Sequence, residues 1–125
     1  MDTTVERKKI LLIDDTPAVL HIFVSILKDE YDVIIACDGE QGLVLAKKII
    51  PDLIILDVIM PGMSGYDVLS ELKVDESTSH IPVILVSGKT SDEDEKMGYT
   101  LGAVTYIKKP FHADDVKEKI CSNIS

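Results

Sequence analysis

Five short apolar runs separated by stretches of helical period predict an α/β fold: a (βα)5 doubly wound parallel five-stranded sheet in a single domain, residues 1–125. Each run is too short for a helix, rich in β-branched residues and apolar on both parities, as strands covered on two faces read. At 125 residues, 46% hydrophobic and 28% charged, the chain has ordinary globular composition and can bury a substantial core.

The elements follow in order. The first run is residues 10–13. Thr16 then offers an N-cap and Pro17 a first helical position, with Leu20, Phe23, Val24 and Leu27 on one helical face. The second run, residues 33–36, leads to a less regular helix over 41–49. After the third run, residues 53–56, Gly65, Val68, Leu69 and Leu72 repeat the helical spacing. The fourth run is residues 83–86. The helix expected over 91–101 opens on a capping box, Ser91 to Asp94. It also carries Gly98, at a cost of about 1 kcal/mol against Ala, so it is expected to be the weakest and most mobile element. A fainter run over 104–107 precedes a last helix marked by Val116, Ile120 and Ile124. The spacings leave room for the right-handed crossovers that place helices on both faces of a parallel sheet.

Charge and cysteine content narrow the function classes. Lys and Arg number 13 against 22 Asp and Glu, a net charge of −9, which argues against a nucleic-acid surface. The two cysteines, Cys37 and Cys121, make no disulfide framework and are expected to be small buried hydrophobes in a reducing compartment. The apolar run at 10–13 is too short for a secretory leader. No run approaches the roughly 18–20 apolar residues of a membrane span. A soluble cytoplasmic protein without membrane contact is the expectation.

In an open α/β sheet, ligands gather beyond the carboxyl ends of the strands. The first run ends in Asp14 and Asp15, the third in Asp57, the fourth in Ser87 and the fifth in Lys108, Lys109 and Pro110. With the second strand at an edge, the order is 2-1-3-4-5 and these four ends converge. Carboxylates about 4 Å apart repel by roughly 4 kcal/mol at an effective dielectric near 20. One lysine cannot offset three of them, whereas a hard divalent cation such as Mg²⁺ can. His21, His80 and His112 are scattered, which leaves no zinc cluster. An aspartate beside a metal, an ammonium and a hydroxyl has the parts for phosphoryl transfer. Taken singly, Asp14 and Asp15 would read as helix caps and Lys109 as a surface charge.

The chain resembles the receiver domain of two-component response regulators over nearly its whole length, in its chemotaxis-type stand-alone form. The motifs are Ile10-Leu11-Leu12-Ile13-Asp14-Asp15, then Pro51-Asp52-Leu53-Ile54-Ile55-Leu56-Asp57-Val58-Ile59-Met60-Pro61-Gly62-Met63-Ser64-Gly65, Ile81-Pro82-Val83-Ile84-Leu85-Val86-Ser87-Gly88, and Tyr106-Ile107-Lys108-Lys109-Pro110-Phe111. The resemblance implies a flavodoxin-like architecture and assigns roles by residue. Asp57 would be the phosphoacceptor, receiving its group from a sensor histidine kinase or phosphotransfer protein. Asp15, Asp57 and the Ile59 carbonyl would ligate Mg²⁺, with Asp14 acting through a metal-bound water. Lys109 would pair with phosphoryl oxygens, before a Pro110 that in this family usually follows a cis bond. Ser87 would move onto a phosphoryl oxygen and Tyr106 would follow it inward. The surface of the fourth helix, fifth strand and fifth helix would then bind a downstream effector protein, or pair two phosphorylated copies as a homodimer.

Ile59 and Lys89 lie two residues after Asp57 and Ser87 and flank the route of water to an acyl phosphate. An apolar Ile59 offers nothing to orient that water, and Gly88 is expected to leave the site open to donors. Other readings stand beside this one. A phosphatase of the haloacid-dehalogenase type would need an Asp where Ile59 stands. A carrier of flavin mononucleotide would place a phosphate against Asp14 and Asp15. A receiver-like docking domain that works without phosphorylation would keep every group. The chain stops just beyond its fifth helix, so it reads either as a stand-alone receiver or as a segment of a larger regulator.

Overall fold

Strand and helix alternate through the chain: β1 (Lys9–Ile13), α1 (Pro17–Leu27), β2 (Asp32–Ala36), α2 (Gly39–Ile49), β3 (Leu53–Asp57), α3 (Gly65–Val74), β4 (Val83–Ser87), α4 (Asp92–Leu101), β5 (Thr105–Lys108) and α5 (Ala113–Asn123). The structure, a computed structural model, describes residues 7–88 and 91–124. All strand pairs are parallel, in the order β2-β1-β3-β4-β5.

Successive strand residues feed two separate cores. Leu11, Ile13, Ile54, Leu56 and Leu85 pack with Ala46 of α2, with Val68, Leu69 and Leu72 of α3, and with Ala103 and Tyr106. Ile10, Leu12, Ile55, Ile84, Val86 and Ile107 pack against Leu20, Phe23 and Leu27 of α1 and Val116 and Ile120 of α5. This division explains why the strand runs carry no polar alternation. Each such side chain contributes roughly 1.5–3 kcal/mol relative to leaving it exposed.

The helix starts follow their caps. Ser64 and Asp67 form a reciprocal capping box on α3, as Ser91 and Asp94 do on α4. Asp38 accepts from the Gln41 N–H, while the Gln41 side chain accepts from the Cys37 N–H. Thr16 occupies the N-cap of α1 without a side-chain bond, so Pro17 carries that start.

Three expectations need correction. Cys37 and Cys121 are exposed. Cys37 lies one residue past the edge strand, and Cys121 is rotated by one helical position from buried Ile120. β2 is not covered on both faces: it is an edge strand, with Ile35 40% exposed. β5 begins at Thr105, because Val104 only bonds to the Val83 carbonyl on its way into the sheet.

Candidate functional site

The carboxyl ends of β1, β3, β4 and β5 meet on one side of the sheet. Asp14 follows β1 and continues its ladder, its N–H donating to the Ala36 carbonyl at 3.1 Å. Its Oδ1 accepts from the Thr16 N–H at 2.9 Å, an Asx-type turn that sets the side chain. Asp57 ends β3, and the next residue, Val58, donates to the Val86 carbonyl, which ties this end to β4. Both aspartates are almost fully buried, at 1% and 5% exposure, while Asp15 is half-buried.

One carboxylate oxygen from each of Asp14, Asp15 and Asp57 lies within 4.8 Å of the others. At that separation, two unit charges repel by about 3 kcal/mol at an effective dielectric near 20. Burial, and then the charge of Asp14, push the Asp57 carboxyl up to about 6. The ammonium of Lys109 and the Ile59 N–H, 3.4 Å from Asp57 Oδ1, pull the other way without prevailing. Lys109 Nζ stands 4.0 Å from Asp57 Oδ2. Among the described residues this is the one group of three or more potential ligands that close together. An all-oxygen donor set, half open at Asp15 and short of positive charge, fits Mg²⁺.

The lysine is placed by its backbone. Its N–H donates to the Ser87 carbonyl at 2.8 Å, the Lys109–Pro110 peptide is cis, and Phe111 stacks on Phe23 with ring centroids 4.7 Å apart. Ser87 is 2% exposed, and its Oγ has no hydrogen-bond partner among the described residues. A buried hydroxyl left unpaired costs stability. Gly88 is exposed, and among the described residues nothing lies within 4 Å of where its Cβ would stand, whereas Lys89 lies outside the described residues.

Ile59 extends into solvent at 74% exposure. His21, His80 and His112 are exposed, and none belongs to the aspartate cluster. Tyr106 is 3% exposed, with its hydroxyl donating to the Asp94 carbonyl at 3.0 Å. The ring of Tyr106, the residue that the resemblance expects to follow Ser87 inward, lies inside in this structure.

Gly65, expected in the α3 stripe and in the receiver motif, is also a spacer beneath the site. Its N–H donates to the Val58 carbonyl, and an added Cβ would stand 2.3 Å from the Asp57 carbonyl oxygen. Gly65→Ala is therefore expected to cost about 1–3 kcal/mol in urea denaturation, as the loop is forced off the strand end. An unchanged midpoint would show that the loop yields freely.

Residues 10–121 match the family model described as the response regulator receiver domain. The chain belongs to this family. Its receiver domain is 36% identical over 115 residues to a probable cyclic di-GMP phosphodiesterase of Vibrio cholerae, covering 92% of this chain and 26% of that protein. It is 34% identical over 121 residues to the DNA-binding response regulator MtrA of Mycolicibacterium smegmatis, covering 96% and 51%. The chain thus spans about a quarter and about half the length of these two relatives. Among solved structures, the chemotaxis protein CheY4 of Vibrio cholerae matches this receiver with a TM-score of 0.91 and 28% identity, covering 95% of this chain and all of the other. Among the described residues, no helix is long and apolar enough to cross a membrane.

Proposed function

We propose that this receiver accepts a phosphoryl group on Asp57 and signals through the surface built by α4, β5 and α5. The supporting observation is the buried Asp57 carboxylate, with Lys109 Nζ 4.0 Å away and the unpaired Ser87 hydroxyl at the next strand end. A carboxyl that titrates near 6 is mostly ionised at neutral pH, so Asp57 can act as the nucleophile. Its oxygen forms a bond to phosphorus while the P–N bond of a phosphohistidine donor breaks, leaving the electron pair on the imidazole. Lys109 offers an ammonium to the phosphoryl oxygens and Ser87 a hydroxyl donor. Asp15, Asp57 and the Ile59 carbonyl would hold Mg²⁺, with Asp14 acting through a water, and the ion supplies neutralisation of charge on the transferring group.

The donor in this reading is a sensor histidine kinase or phosphotransfer protein, and the recipient of the signal is an effector protein. The chemistry is confined to the domain's own phosphorylation and dephosphorylation. Wild type and Asp57→Ala, incubated with acetyl phosphate and Mg²⁺, provide the test. Intact-mass spectra should show one added phosphoryl group on wild type and none on the variant. No addition to wild type would favour docking without phosphorylation.

With Ile59 unable to orient water, the phosphorylated form should be long-lived. Ile59→Asn is expected to shorten its half-life about tenfold, the worth of roughly one hydrogen bond to the attacking water. An unaltered decay in the mass assay would refute this role for residue 59.

A further inference from the structure

Tyr106 rests in a slot that the rest of the chain keeps open. Gly98, on the buried side of α4, makes the room: a Cβ there would stand 2.0 Å from the Tyr106 hydroxyl and 2.8 Å from Leu85 Cδ1. The mid-helix glycine therefore has a packing reason that offsets its poor helix propensity. Tyr66 of α3 brings a second hydroxyl to the same carbonyl, donating to Asp94 O at 3.2 Å and lying 3.4 Å from the Tyr106 hydroxyl. Tyr99 packs edge-on against Tyr106 at 5.5 Å, and Lys119 of α5 donates to the Tyr106 carbonyl at 2.9 Å. Lys108, two residues further along β5, forms an ion pair with Glu95 in the first turn of α4.

We propose that Tyr66, Gly98 and the Asp94 carbonyl form a latch that holds Tyr106 inward, and α4 against β5, before any phosphoryl group arrives. Tyr66 is then a positioning residue for this surface. The proposal builds on the phosphoacceptor reading only in its consequence: phosphorylation would meet a surface already set on the tyrosine side, with Ser87 left as the group that moves. A ligand shifts a two-state element only by its preference between the states, so a preset Tyr106 contributes little to the response.

The test is ¹⁹F NMR of the chain labelled with 3-fluorotyrosine, using a neutral gadolinium chelate as a probe of exposure. The four tyrosines give four lines, and Tyr106→Phe assigns the one in question. Without any phosphoryl donor, the Tyr106 line should be well protected relative to that of Tyr99, which is 49% exposed. Gly98→Ala should abolish that protection. Tyr66→Phe, which removes only the hydroxyl, should raise the outward population about fivefold, seen as exchange broadening. A Tyr106 line as accessible as that of Tyr99, or protection gained only after acetyl phosphate and Mg²⁺ are added, overturns the latch. So does full protection in Gly98→Ala, or an unchanged line in Tyr66→Phe. Because protection is read before the donor is added, and phosphorylation is read separately by mass, failure of the latch and failure of the Asp57 reading are told apart.

Discussion

Asp57→Asn is expected to stabilise the metal-free protein at pH 7 by about 3 kcal/mol while abolishing phosphoryl uptake. Asp57 lies almost out of solvent beside Asp14, and its carboxyl titrates near 6 in the fold against an ordinary value of 3.8. The folded chain therefore holds this proton more tightly than the unfolded chain does. The favourable contribution is complete below about pH 4 and is lost as the pH rises through about 6. Asparagine keeps the shape, removes the charge and makes that loss disappear. The two proteins should thus be equally stable near pH 4 and diverge as the pH rises to 7, as measured by urea denaturation in the presence of a chelator. Mg²⁺ should close most of that gap. At a hundredfold its dissociation constant a bound ion adds about 2.7 kcal/mol to wild type, and little of this should remain in the variant. Parallel stability curves from pH 4 to 7 would mean that the three carboxylates do not crowd one another in solution.

Lys109→Met is expected to slow phosphoryl uptake from acetyl phosphate by about 10²–10³-fold, the usual effect of removing one preorganised donor to developing oxyanion charge. The side chain approaches Asp57 to 4.0 Å from a backbone tied to Ser87, so its loss leaves the transferring group without its ammonium but the pocket intact. Lys109→Arg should recover only part of the rate, because a planar guanidinium does not reproduce a compact ammonium at that distance. The time course of the phosphorylated mass measures both. A methionine variant within about threefold of wild type would assign the positive charge at the site elsewhere.

Most of the architecture could be read from residue order alone, for a physical reason. A strand buried on both faces must be apolar at consecutive positions, and a helix laid against it must be apolar at every third or fourth. Residues 53–56 and the set Gly65, Val68, Leu69 and Leu72 satisfy those demands locally, and all of them are buried. The aspartates, Ser87 and Lys109 were visible because each stands at the end of such a run. What could not be read depends on neighbours distant in sequence. Tyr66 and Tyr106 are 40 positions apart, and nothing local marks them as sharing a carbonyl. Gly98 looked like a defect because its purpose is the ring it admits. The cysteines misled because solvent exposure at a strand end or on one helix flank is decided by rotation, not by hydrophobicity.

The sheet also works as a partition. Phe23 and Phe111, which brace the arm bearing Lys109, belong to the layer of α1 and α5, whereas Leu85, Tyr66 and Tyr106 belong to the opposite layer. The brace of the lysine and the seat of the tyrosine ring are thus built by opposite layers, and the five strands are their common boundary.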